Sequence, residues 1–219
     1  HAAADEKLHW QWPANPQDHF ARFNKDGSIS LSLLNTAAAT GFPLLWQSAN
    51  VLTQKIRAEN FTFSASFDIS ALPPGARTGI VFMGDDYASL ALERTGENTG
   101  GYSLVYFESE SAGGDDERSE TVKARLPLPP QAVQAGRLQL SLTFTKCDER
   151  RGSVSFTAAC GRGSGAGCIN WQPQAEPYVT KNAHWVGGRF GLYALRAGQA
   201  DAAASGFPQI SVSDICIKS

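Results

Sequence analysis

Charge is scarce in this 219-residue chain: Asp, Glu, Lys and Arg make up 18% of it, short of the roughly 25% of an ordinary soluble domain. That shortage argues against a long helix or coiled coil, which needs Glu, Lys, Leu and Ala at heptad spacing. A basic excess is missing too, with 19 Lys and Arg against 21 Asp and Glu. Nothing is left over to neutralise phosphates, so nucleic acid is not an expected partner. No apolar run approaches the roughly 18 residues of a membrane span. No repeat recurs at a fixed period, and no window is a convincing amphipathic helix, beyond one short turn expected over residues 132–137.

Catalytic signatures are equally sparse. None of His1, His9, His19 and His184 sits in a local motif with Ser or Cys. Gly163-Ser164-Gly165 lacks the strand-to-helix setting of a nucleophile elbow. There is no His-Glu-x-x-His and no phosphate loop. Glu108 and Glu110 would share a strand face about 7 Å apart, nominally suited to the roughly 5–9.5 Å of a glycosidase carboxyl pair. However, Glu110 already enters a Ser/Gly/Asp loop, and the pair reads as a solvated strand end. Asp85 and Asp86 are adjacent and would point opposite ways, which fits a turn before Tyr87.

Apolar surface is abundant, and 12 Phe, 5 Trp and 5 Tyr are too much to leave solvated in a disordered chain. Its pattern has period two. Leucines and phenylalanine alternate with polar residues over 138–145, and 153–157 alternates as well, with a polar turn ending in Gly152 between them. This pair predicts a β-hairpin. Further strands are expected at 60–69, 78–83, 88–94, 102–108, 189–195 and 210–217, with shorter ones at 8–12, 28–33 and 51–56. The 78–83 run is apolar on both faces, as in a central strand. Loops are expected at 109–120, 160–168 and 198–206. The whole chain reads as one all-β sandwich domain, residues 1–219.

Cys147, Cys160, Cys168 and Cys216 allow three connectivities if all pair. Cys160 and Cys168 bracket a Gly-rich loop that is easily closed, so a Cys160–Cys168 disulfide is favoured over two free thiols. Cys147 and Cys216 fall in strand-like runs and are expected to be buried as small apolar residues. Zinc is not expected, since no Cys-x-x-Cys pair occurs.

Four segments resemble one family. Trp10-Gln11-Trp12-Pro13-Ala14-Asn15-Pro16 resembles its "QWQWNHNP" opening, and residues 45–55 resemble its "LLQARNTLTQR". Residues 79–88 are similar to "AGLAVFGDDYA" and 187–194 to "GAFVGLFA". The family is the C-terminal concanavalin-like domain of glycoside hydrolase family 43 β-xylosidases and α-L-arabinofuranosidases. Pro13 replaces a family Asn, Phe20 a family Trp, and 213–217 the aromatic ending. The resemblance implies a concanavalin-like (jelly-roll) β-sandwich of two antiparallel sheets. It also implies a non-catalytic accessory domain, extracellular or periplasmic, beside a five-bladed catalytic propeller that lies outside this chain. Active cousins of the fold carry Glu-x-Asp-x-x-Glu, which this sequence lacks. In the family's β-xylosidases, a loop before the "GAF" strand offers an aromatic residue to the catalytic pocket, and Trp185 occupies that place.

A sugar site needs flat aromatic side chains for pyranose faces and planar polar groups for hydroxyls. Trp171, Trp185, Tyr178, Tyr87 and Trp46 are the candidate contacts, whereas Trp10 and Trp12 are expected to pack into the core. A structural calcium ion is a minor expectation, with Asp214 and N-terminal loop oxygens as ligands. Three functions follow in order: accessory domain of a glycosidase acting on plant polysaccharide of the xylan or arabinan type; independent carbohydrate-binding module or lectin; glycosidase in its own right. The expected partners are a plant-type polysaccharide or oligosaccharide and a glycosidase catalytic domain.

Overall fold

The computed structural model describes residues 9–13, 17, 19–35, 41–96, 101–111, 118–160, 169–181, 187–197 and 207–219. Two sheets face each other. The eight-stranded sheet runs β1 (Ala21–Phe23), β2 (Ile29–Ser32), β15 (Gln209–Lys218), β5 (Asn60–Asp68), β10 (Arg137–Lys146) and β11 (Gly152–Cys160). Both β12 (Asn170–Trp171) and β13 (Tyr178–Val179) pair with β11. The seven-stranded sheet runs β3 (Leu34–Asn35), β14 (Arg189–Arg196), β6 (Ala76–Met83), β7 (Tyr87–Arg94), β8 (Tyr102–Ser111) and β9 (Arg118–Pro127). On the same side of β14 as β3 lies β4 (Val51–Lys55). All pairings are antiparallel except the two-residue contact of β3 with β14. A one-turn helix, α1 (Pro130–Gln134), starts on Pro130, whose fixed φ suits a first helical turn.

The alternating segments become strands whose apolar face is turned inward. Along β10 and β11, Leu138, Leu140, Leu142, Val154 and Phe156 are buried, and the residues between them reach solvent. The 148–152 turn closes this hairpin with Lys146 opposite Gly152. The expected central strand is β6, buried along its full length between β14 and β7.

Several expectations needed correction. Residues 109–111 and 118–120 are strand, not loop: Ser109 is fully buried and Glu120 is bound into the sheet. Strand β9 is an edge strand rich in charge, so apolar alternation does not reveal it. Cys147 is exposed because β10 stops at Lys146 and the turn begins. Cys216 is half-buried. A bulge between Ser213 and Cys216, with Asp214 at φ 49°, inserts one residue and reverses the alternation of β15. The interior therefore receives Ile215 rather than Cys216.

The main core lies between the sheets, around Phe63, Phe67, Phe82, Leu90, Leu140 and Leu192. A second apolar cluster lies on the outer face of the seven-stranded sheet, where Tyr87, Phe107, Tyr193 and Val81 are covered by Phe42, Leu45 and Trp46. The central strands β14, β6 and β7 of that sheet are buried on both faces.

Candidate functional site

The strand registers bring several connections to one end of the sandwich. Lys55 lies opposite Arg189, Met83 opposite both Arg189 and Tyr87, Asn60 opposite Thr145, and Lys146 opposite Gly152. The 56–59 crossing between sheets, the 84–86 turn, the 147–151 turn and residues 180–181 and 187–188 therefore share that end. Two grooves open there, divided by Arg57 and Ala58, which line both.

The larger groove has a volume of about 650 Å³. Its floor includes Phe82 and Phe144, whose rings stack with centroids 5.5 Å apart at 4°. Two glycines keep the rings uncovered: a Cβ on Gly152 would sit 2.2 Å from the Phe144 ring, and one on Gly188 would sit 2.9 Å from that of Phe82. The walls are charged. Lys146 pairs with Glu59, Arg151 Nε donates to Asp148 at 2.8 Å, and Lys181 lies 2.7 Å from the buried Asp86. Backbone N–H groups of Arg150 and Arg151 also donate to Asp148 and hold its carboxyl below the usual range. The Asp86 carboxylate raises the Lys181 pKa through their hydrogen bond. Thr180 Oγ1 accepts from Gly152 N–H at 2.8 Å, which ties β13 to this hairpin. Arg57 and Arg150 have no carboxylate partner among the described residues.

The smaller groove, about 390 Å³, lies between the sheets behind the 56–59 crossing. Trp10, Phe61, Phe190 and Ile215 are among its apolar walls. At its exposed side Arg57 Nη2 donates to His9 Nδ1 at 2.6 Å. Nothing in the local sequence joins residues 48 apart, and no motif reading reached this pair.

The expected sugar contacts do not assemble. Tyr87 is fully buried; its hydroxyl accepts from Leu45 N–H at 3.1 Å and donates to Glu120 at 2.6 Å. Tyr178 is 7% exposed, with its ring facing Phe82 inside the sandwich, and burial raises its pKa. Both are corrected from contact residues to core, because each lies on a strand rather than in a loop. Trp46 packs edge-on against Tyr87, beneath the Arg118 guanidinium. Trp171 is half-buried on the edge of β11, near Ala158, at the opposite end from the grooves. Trp185 and Cys168 lie outside the described residues. Cys160 is disulfide-bonded, and Cys147 and Cys216 are free. Trp10 and Trp12 are partly buried against the core, as expected.

Asp214 is exposed, with Arg137 Nη1 at 3.8 Å. Calcium needs several converging oxygens; a guanidinium faces this carboxylate, and no cluster of three acidic, His or Cys side chains occurs among the described residues. The N-terminal loop oxygens expected beside Asp214 fall largely on residues 1–8 and 14–16, outside the described residues. Glu108 accepts from Tyr106, and Lys123 lies 3.7 Å from Glu108 and 3.8 Å from Glu110. Neither acid lines either of the two grooves at the other turns.

Two antiparallel sheets packed face to face, with cross-sheet loops gathered at one end, define a concanavalin-like β-sandwich. Residues 2–212 match the family described as Beta xylosidase C-terminal Concanavalin A-like domain, so the chain belongs to it. It is a domain of the kind found at the C-terminus of glycoside hydrolase family 43 enzymes. Among solved structures, it resembles an engineered family 43 glycoside hydrolase displaying endo-xylanase and exo-arabinofuranosidase activity (TM-score 0.70, 17% identity, 96% of this chain and 38% of that one). It also resembles a bifunctional GH43-CE protein of Bacteroides eggerthii (0.65, 18%, 96% and 24%). A third is a family 43 protein from Bacillus licheniformis (0.59, 15%, 94% and 35%). The chain thus spans 24 to 38% of those proteins. No curated protein matches it.

Proposed function

We propose that this sandwich serves a glycoside hydrolase acting on plant polysaccharide of the xylan or arabinan type, and that its grooved end packs against the catalytic domain. The observation that carries the reading is the larger groove: an aromatic floor held open by Gly152 and Gly188 and ringed by charged turns. Such a surface suits a polar domain interface. The solved neighbours, enzymes on xylan and arabinofuranosides, support the substrate class. The Cys160 disulfide suits an extracellular or periplasmic location.

The test compares three proteins: the full reading frame, the same without residues 1–219, and this chain alone. Activity on aryl xylosides and arabinofuranosides is expected from the first only. A deletion that keeps full activity overturns the reading. Tight binding of soluble xylan by this chain alone, measured by calorimetry, replaces it with a carbohydrate-binding module.

A further inference from the structure

Building on the packing proposed above, we propose that the catalytic domain meets the grooved end with an acidic face, setting one carboxylate against Arg57 and another against Arg150.

Chain direction brings a preceding domain to this end. Gln11 and Thr53 pair antiparallel, each N–H donating to the other's carbonyl, at 2.7 and 2.8 Å. Strand β4 runs from Val51 toward Lys55, which lies at the grooved end opposite Arg189. The chain from Gln11 back to His9 therefore runs toward the grooves as well. His9 lines the smaller one and meets Arg57. A domain that lies N-terminal to this one, as the family's C-terminal placement requires, is tethered there.

The charges at this end are unequally matched. Lys146, Arg151 and Lys181 each have a carboxylate, on Glu59, Asp148 and Asp86. The exposed Arg57 and Arg150 have none among the described residues, and the bond from Arg57 to His9 Nδ1 brings no negative charge. Glu149, next to Arg150 in the turn, pairs with neither arginine. Lys55 and Arg189 face each other in the β4–β14 register and also lack a carboxylate among the described residues. Arg189 Nε is buried without an acceptor.

Position decides what the opposing surface must carry. Arg57 lines both grooves, so it stands between them and not at their rim. A surface that covers the grooves covers Arg57. A guanidinium taken out of water without a counter-charge is strongly unfavourable. Its planar fork matches the two oxygens of a carboxylate. An acidic glycan also carries carboxylates, but the tether at His9 favours the attached domain.

The experiment is zero-length carbodiimide coupling of the full reading frame carrying Arg57→Lys or Arg150→Lys. Each substitution keeps the charge and supplies an amine that the reagent joins to a carboxylate in contact. Peptide mapping should show an amide link from each substituted position to an Asp or Glu of the catalytic domain. Links into that domain from the native Lys146 or Lys181 alone would keep the packing and overturn the acidic pairing. No link from any groove residue into the catalytic domain overturns both. In the full frame, Arg57→Glu combined with Arg150→Glu should speed amide hydrogen exchange over residues 144–152 about tenfold, the scale of a lost hydrogen bond to a charged group. Arg137→Glu, at the opposite end of β10, should leave that exchange unchanged. Equal exchange with and without the double reversal overturns the pairing. So does calorimetric binding of glucuronoxylan, but not of neutral arabinoxylan, by this chain if the double reversal abolishes it; the arginines would then serve an acidic glycan.

Discussion

The outer faces of the two sheets contrast sharply. On the eight-stranded sheet, most outward residues of β5, β10 and β11 are polar and reach solvent, Ser66 being buried, and Thr62 and Thr143 are hydrogen-bonded across the strands at 3.1 Å. On the seven-stranded sheet the outward residues of the central strands β14, β6 and β7 are buried, with Phe42, Leu45 and Trp46 among their cover, and they include charge. Arg77 donates to Glu93 at 2.8 Å and to Glu120 at 2.9 Å, while Arg125 reaches Glu93 at 2.9 Å. Phe42 and Phe107 lie on the Arg77 guanidinium at 4.2 and 4.5 Å. One sheet needs a single apolar face; the other is the middle layer of three and needs two.

The covered face can be broken at its centre. Arg77→Met leaves Glu93 and Glu120 without their main cation in a site where the Arg77 and Glu93 side chains are each 8% exposed. Removing one partner of a buried pair costs about 3–5 kcal/mol. Denaturant unfolding should show a loss of that size, accompanied by a change in Trp46 emission as its cover loosens. A loss under about 1 kcal/mol would mean that the apolar contacts hold the segment without the ions.

This contrast also explains what could be read in advance. Period-two alternation exposes a strand only when one face is wet, which is why β5, β10 and β11 were plain in the sequence. Strand β6 was legible through its continuous apolar run. Strand β9 was not, because its stabilising partners are ionic and distant: Glu120 answers Arg77, 43 residues away. The same limit hid the functional end. Arg57 and His9, 48 residues apart, meet only in the folded chain, and the bulge at Asp214 that turns Ile215 inward has no local apolar signature. Tyr87 and Tyr178 misled for the opposite reason: each borders a turn in sequence, yet Tyr178 is turned between the sheets and Tyr87 lies beneath the Leu45 and Trp46 cover.

A second, smaller break comes from alkali. Burial raises the pKa of Tyr87 and Tyr193 on the covered face and of Tyr106 and Tyr178 between the sheets. For Tyr87 and Tyr106, hydrogen bonds to Glu120 and Glu108 add to that rise. A raised folded-state pKa means that the native protein holds its protons longer than the unfolded chain. The resulting stability is fully present below the ordinary tyrosine value of 10.0 and is lost as pH rises toward the folded values. Tm should therefore fall steeply above about pH 10. Tyr193→Phe should flatten that fall, since it removes one of the linked groups. An unchanged slope would show that Tyr193 is not shielded and that the cover admits solvent.

The smallest effect is expected on the open face, and it is the sharper test of the contrast. Ser141 lies outward on β10 opposite Ser64 and Thr157. A surface substitution away from special features changes stability by within about 0.5 kcal/mol, and Val is the better strand residue. Ser141→Val should therefore leave Tm unchanged or slightly higher, with no change in elution on gel filtration. If it instead associates or costs more than about 1 kcal/mol, this face is covered in solution too. The two sheets would then differ only in whether their cover comes from this chain or from a neighbour.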